Sequence, residues 1–205
     1  MAATSDAGQR KLLAKIADCE GVKPFYLAGG TALTFQLGHR LSVDLDFFSP
    51  LPFQGEILLA GLRHAASTEL TGMERGTLHI NMDGIPVSFF EYPYPVLELK
   101  KENGFAMASI KDIGLMKLMA IQQRGLRKDF IDLYAICKTG IRLVDLLELL
   151  KEKYTSVQFD RLALLKALVY FGDAVEEVPL LVKDINWDAV KKFFRQEVRV
   201  LSGAG

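Results

Sequence analysis

Gly29-Gly30-Thr31-Ala32-Leu33, followed by Ser42-Val43-Asp44-Leu45-Asp46-Phe47-Phe48, decides how this chain is read. The glycine pair joins a short apolar strand to a short helix. Glycine lets the backbone approach a ligand closely, and a helix N-terminus offers unpaired N–H groups and a positive dipole end. Thr31 either caps that helix or gives its hydroxyl to an anion. Alternate residues of a strand share a face, so Asp44 and Asp46 project together while Leu45 and Phe47 point into a core. Two adjacent like charges are costly unless a cation lies between them. A divalent metal that also holds nucleotide phosphates accounts for the pair. Each motif alone is weak, and the plain alternative is a capped helix beside an edge strand with two solvated aspartates. Leu45, Phe47 and Phe48 favour a buried strand instead.

The 205 residues suffice for one large domain or two small ones, and the 50% hydrophobic content argues against disorder. Formal net charge is zero, so any polyanion site has to come from local clustering. Cys19 and Cys137 stand alone, with no second pair for a disulfide framework or zinc knuckle, which fits a reducing compartment. Residues 1–20 lack the apolar run of a signal peptide, and Leu162 to Phe171 is interrupted by Lys166 and too short for a bilayer. The expectation is a soluble, cytoplasmic protein with no membrane partner.

Periodicity and punctuation predict an opening helix at Gly8 to Cys19, a strand at Phe25 to Ala28, a helix at Thr31 to Leu37 and a strand at Leu45 to Phe48. A helix follows at about Glu56 to Ala66. Thr77 to Met82 and Ile85 to Tyr92 flank Asp83-Gly84, a hairpin dipeptide, and Phe105 to Ala108 is a last short strand. After Ser109 the pattern is helical: about Ile110 to Arg124, Arg127 to Cys137, Leu143 to Tyr154, Phe159 to Phe171 and Trp187 to Leu201. The fold class is therefore α+β, with a mixed sheet flanked by helices over residues 1–108 and a helical bundle over 109–205.

Gly-Gly-Thr-Ala-Leu, then Leu37-Gly38-His39-Arg40-Leu41-Ser42-Val43-Asp44-Leu45-Asp46-Phe47-Phe48, resembles the nucleotidyltransferases of the DNA polymerase β superfamily, and within it the AbiEii/AbiGii-type toxin branch. Lys117, Arg124 and Arg127-Lys128-Asp129-Phe130-Ile131-Asp132-Leu133 continue the likeness. The resemblance implies magnesium-dependent (or manganese-dependent) transfer of a nucleoside monophosphate from an NTP to an acceptor. It further implies a toxin of a toxin–antitoxin or phage-abortive system, with an antitoxin partner and an RNA acceptor, tRNA in particular. Asp44 and Asp46 would hold the metal. Gly29, Gly30 and Thr31 would bind the triphosphate, with Ser42 and Arg124 also on the nucleotide, and Lys117 and Asp129 would join the catalytic set.

One position departs from the pattern. The superfamily usually carries a third carboxylate on a later strand, and by register that position here is Ser88, a poor magnesium ligand. Glu91 is the nearest acid but has the opposite parity. Between Lys100 and Lys128 there are seven basic residues against Glu102 and Asp112, a local excess suited to triphosphate or RNA backbone. Lys117 and Arg124, two helical turns apart, share a face, and Asp129 and Asp132 either orient them or favour a helix N-terminus. The alternative is a helical hairpin with a solvated charged face. Ser42 invites a further reading, since phosphate placed beside the acidic pair would repel NTP. His39 reads either as a substrate contact or as a surface residue, and His64 and His79 as structural. Two other functions remain open: modification of a small hydroxylated molecule of the antibiotic type, or a degenerate domain that binds nucleotide or a partner without catalysis.

Overall fold

The computed structural model describes residues 2–102, 104–155, 160–174 and 179–203. The chain divides into two compact units, residues 1–35 with 42–109, and residues 36–41 with 110–205.

The first unit is built on a seven-stranded mixed sheet. Its elements are α1 (Ala2–Ala17), β1 (Tyr26–Ala28), α2 (Gly29–Leu37, of which the last two residues belong to the second unit), β2 (Leu45–Ser49), α3 (Gly55–Arg63), β3 (Thr68–Glu74), β4 (Thr77–Met82), β5 (Ile85–Glu91), β6 (Leu99–Glu102) and β7 (Phe105–Ala108). The strand order is β3-β4-β5-β2-β1-β7-β6. β2 runs antiparallel to β1 and parallel to β5, so the acidic motif occupies a central strand. One side of the sheet is dry. Leu45, Phe47, Leu78, Ile80, Val87 and Phe89 are all buried, and Phe47 stacks on Phe89 with ring centroids 4.8 Å apart. Leu58, Leu59 and Leu62 of α3 and Leu12, Leu13 and Ile16 of α1 are buried as well. The hairpin between β4 and β5 turns through Asp83 (φ 51°) and Gly84 (φ 83°), the two positive φ values that a type I′ turn demands and that Asp-Gly supplies.

Two strands, β3 and β6, are invisible to periodicity, for one reason. They are the outermost strands of the sheet and bury little, so Thr-Glu-Leu-Thr-Gly-Met-Glu and Leu-Lys-Lys-Glu show no apolar alternation. β3 also shifts register between Leu70 and Gly72.

The second unit contains α4 (Ile110–Gln123), α5 (Arg127–Cys137), α6 (Leu143–Lys153), α7 (Arg161–Ala167) and α8 (Trp187–Leu201). Phe130 on α5 is its aromatic centre, with Phe171, Trp187 and Phe194 at centroid distances of 5.1, 6.0 and 5.6 Å. α7 starts at Arg161 because Asp160 accepts hydrogen bonds from the backbone N–H groups of Leu162 and Ala163 and so caps it, and it ends at Ala167, four residues before the expected Phe171; the expected start, Phe159, lies outside the described residues. Residues 36–41 belong here through backbone bonds, with Leu41 N–H donating to the Leu180 carbonyl and Val182 N–H to that of His39. Among the described residues, no helix is long and apolar enough to cross a membrane.

Candidate active site

In the first unit the glycine turn and the acidic strand meet. Ala28 and Asp46 are register partners across β1 and β2, and the chain leaves β1 directly into α2. Gly29 sits at that junction with φ +71°, a conformation costly for any residue with a side chain. A Cβ built there would lie 2.8 Å from Oδ2 of Asp46. The space beside the Asp46 carboxylate therefore exists because position 29 is glycine. Gly30 is buried inside the first turn of α2.

Asp44 lies just outside the ladder, since β2 starts at Leu45. This corrects the expected strand face through Ser42 and Asp44. Extending the β2–β5 register by one step would bring in Pro86, which has no N–H, and side chains take over the backbone instead. Thr31 donates its hydroxyl to the Asp44 carbonyl at 2.5 Å, and Gln9 Nε2 donates to the Ser42 carbonyl at 2.9 Å. Thr31 is buried, so it anchors the segment carrying Asp44. Both aspartates are half-buried, flanking the fully buried Leu45.

No cluster of three or more His, Cys, Asp or Glu suited to a metal occurs among the described residues. Magnesium does not need one, because it is commonly held by one or two carboxylates together with substrate phosphates. The opening that Gly29 leaves at Asp46, beside hard oxygen donors, fits that ion.

β5 follows β2 in unbroken register from Leu45↔Val87 to Ser49↔Glu91. Asp46 thus pairs with Ser88, and Glu91 falls on the opposite parity. On the next strand His79 pairs with Ser88, and its Nδ1 lies 2.9 Å from Ser88 Oγ. Strand alternation gave no hint of this contact, because the register between strands is set only when they pair.

The second unit holds a buried ionic cluster. Lys117 on α4 places Nζ 2.9 Å from Asp129 Oδ1 and 2.7 Å from Asp132 Oδ2, both on α5. Arg124, just past the end of α4, bonds Asp129 through Nε (3.1 Å) and an Nη nitrogen (3.2 Å). Arg40 forks onto Asp132 through Nε at 2.6 Å and an Nη at 2.9 Å, and His39 Nε2 donates to the same carboxylate at 2.7 Å. His39 is buried, which corrects the surface reading. Burial by itself raises the pKa of both aspartates. For Asp132, the Lys117 charge and the hydrogen bonds from Arg40 and His39 outweigh burial and hold it well below the usual carboxylate range, and for Asp129 Lys117 and Arg124 outweigh burial and lower it. Burial likewise disfavours charged Lys117, yet the two carboxylates raise its pKa. With 54% of its side chain exposed, Arg124 is the member open to solvent.

The basic stretch divides between the units. Lys100 and Lys101 lie on β6, while Lys111, Lys117, Arg124, Arg127 and Lys128 belong to the helical unit. There Lys117 is neutralised by its partners and Arg127 stacks over Trp187 at 4.9 Å.

A mixed sheet whose glycine strand-to-helix turn faces an acidic central strand, joined in one chain to a helical unit, is the architecture of a nucleotidyltransferase. The chain matches the family described as nucleotidyl transferase AbiEii toxin, type IV toxin–antitoxin system, over residues 11–78 and 61–199. It belongs to that family and is a nucleotidyltransferase. An uncharacterized protein, aq_aa25 of Aquifex aeolicus, is 41% identical over 199 residues, covering 93% of this chain and 94% of its own. Among solved structures, the fold is similar to that of MenT4, a nucleotidyltransferase toxin from Mycobacterium tuberculosis H37Rv. The TM-score is 0.65 at 16% identity, over 98% of this chain and 84% of MenT4. JHP933 from Helicobacter pylori gives a TM-score of 0.58 at 18% identity, over 97% of this chain and 90% of that one. The antibiotic-resistance factor ANT(2'')-Ia gives 0.55 at 15%, over 74% and 93%.

Proposed function

We propose that this protein transfers a nucleoside monophosphate from a magnesium-bound NTP to an RNA acceptor, tRNA in particular, as the cytoplasmic toxin of a pair whose antitoxin restrains it. The observation that carries the reading is the close approach of Gly29 to Asp46, which puts the N-terminal turn of α2 beside a carboxylate with room between them. A triphosphate needs that combination of backbone N–H groups and a metal-binding acid.

In this reading Asp44 and Asp46 hold the metal, magnesium or manganese. When bound, it neutralises the triphosphate charge and steadies the attacking and leaving oxygens. Gly29 and Gly30 give the phosphates backbone N–H groups, and Thr31 fixes the Asp44 segment. Ser42 is assigned to the nucleotide with them. In the helical unit Arg124 is assigned to phosphate through its exposed guanidinium, oriented by Asp129, which Lys117 holds in place.

The test is incorporation of each α-labelled NTP into total cellular RNA with magnesium, against Asp44→Ala/Asp46→Ala protein. The expected result is label in RNA from the wild type alone, with the labelled band naming the acceptor. Label recovered only in small molecules would replace RNA with a small hydroxylated acceptor. An absence of label with every NTP, in magnesium or manganese, would overturn the reading.

A further inference from the structure

Two side chains beside Asp46 on the sheet of the first unit, Ser88 and His79, have no part in the roles above. Asp46 on β2, Ser88 on β5 and His79 on β4 are consecutive register partners, so they stand side by side on one face. Their neighbours along each strand, Leu45, Phe47, Val87, Phe89, Leu78 and Ile80, are buried on the other face. The three are only half-buried, so this face is not the dry core. The Phe90 ring meets the His79 imidazole edge-on at 5.5 Å, and Gly72 is His79's register partner on β3, where a Cβ would come within 3.5 Å of Cδ2. A strand hydroxyl 2.9 Å from an imidazole nitrogen, next to the carboxylate assigned above to the metal, is a pair able to relay a proton beside a group-transfer site.

We infer that Ser88 and His79 receive the proton of the acceptor hydroxyl, an inference that rests on the nucleotidyl-transfer reading of the Asp46 site. Ser88 is the catalytic residue, and His79 acts through it as a positioning residue and proton store. The acceptor O–H donates to Ser88 Oγ, while the Ser88 O–H donates to His79 Nδ1 in the tautomer protonated at Nε2. As the acceptor oxygen forms its bond to the α-phosphorus, its proton passes to Ser88 Oγ and the Ser88 proton passes to His79. The bond from the α-phosphorus to the α,β-bridging oxygen breaks, and pyrophosphate leaves. The imidazolium then returns its proton to water. No oxidant or further reactant is required.

The experiment uses the full chain with magnesium, the preferred NTP and total RNA, and measures turnover, NTP affinity by calorimetry and melting temperature for each variant. Ser88→Ala is expected to lower turnover by roughly 100-fold, the scale of a lost general base, with NTP affinity changed by less than about twofold. Ser88→Thr, which keeps the hydroxyl, retains most of the turnover. His79→Asn keeps a hydrogen-bond acceptor but stores no proton, so it falls as far as Ser88→Ala. The double variant falls no further than either single change, because both remove one path. Wild-type turnover in Ser88→Ala, an equal fall in Ser88→Thr, or losses that multiply in the double variant would overturn the inference while leaving nucleotidyl transfer standing. Absence of transfer by the wild type would overturn both. If Ser88→Ala does not fold, Ser88→Thr against His79→Asn decides.

Discussion

Gly29 concentrates the site's geometry in one residue. A side chain there meets two penalties, the left-handed backbone at about 1–2 kcal/mol and a contact with Asp46 Oδ2 far inside van der Waals distance. The second penalty moves the carboxylate, and a displacement of about 1 Å at a reacting centre costs on the order of 100-fold in rate. Gly29→Ala should therefore lose transfer activity much more than stability. Side-by-side turnover and thermal melting check this, and a variant with wild-type turnover would show that Asp46 tolerates the shift. His79 is the counter-case. In the sequence it has no ligand-spaced companion, and only the pairing of β4 with β5 gives it Ser88. His39 is similar, since its partner Asp132 lies 93 positions away.

At the scale of elements, the hairpin turn, α5 and α8 were legible to the residue, while β5 ends at Glu91, one residue before the expected Tyr92. Asp-Gly sets the hairpin, and Asn186 caps α8 by accepting from Asp188 and Ala189 N–H. β3 and β6 were not legible, because an edge strand borrows its order from its neighbour rather than from its own pattern. The packing of α4 on α6 includes a fully buried ion pair, Lys153 Nζ to Asp112 Oδ1 at 2.8 Å, with both side chains 0% exposed. Neither residue stands out in the sequence, where each reads as an ordinary surface charge. Removing one partner strands the other in a low-dielectric core. Lys153→Met should destabilise the protein by about 3–5 kcal/mol, and the paired change Asp112→Leu/Lys153→Met should recover most of that. Denaturant unfolding of the three proteins provides the check, and equal destabilisation by single and double changes would show that packing, not charge, sets the cost.

For the whole molecule, the Lys117–Asp129–Asp132–Arg40–Arg124 cluster ties stability to pH. Asp129 and Asp132 have depressed pKa values when folded, so their contribution is present above the ordinary carboxyl value of about 4 and is lost as pH falls through the folded values. Lys117 is raised, so its contribution is present below the ordinary lysine value of about 10.4 and is lost as pH climbs through the folded one. The melting temperature should hold a plateau between about pH 4 and pH 10 and fall on both sides. Calorimetry across that range tests the window, and Asp129→Asn should flatten the acid limb. An unchanged acid limb would move its origin to other carboxylates.

The sequence by itself determined which chemistry is present and much of the secondary structure. A glycine turn, an Asp-x-Asp pair and helical periodicity are local properties, encoded by residues a few positions apart. Only the tertiary structure decided who stands beside whom. The register of β2, β5 and β4 puts Asp46, Ser88 and His79 in one row. Likewise, the helices take in residues 36–41 and give His39, Arg40 and Lys117 buried carboxylates as partners. The physical reason is the same in both cases. Strand register and buried ion pairing arise from contacts between distant segments, and desolvation gives those contacts their energy only once the chain has closed around them.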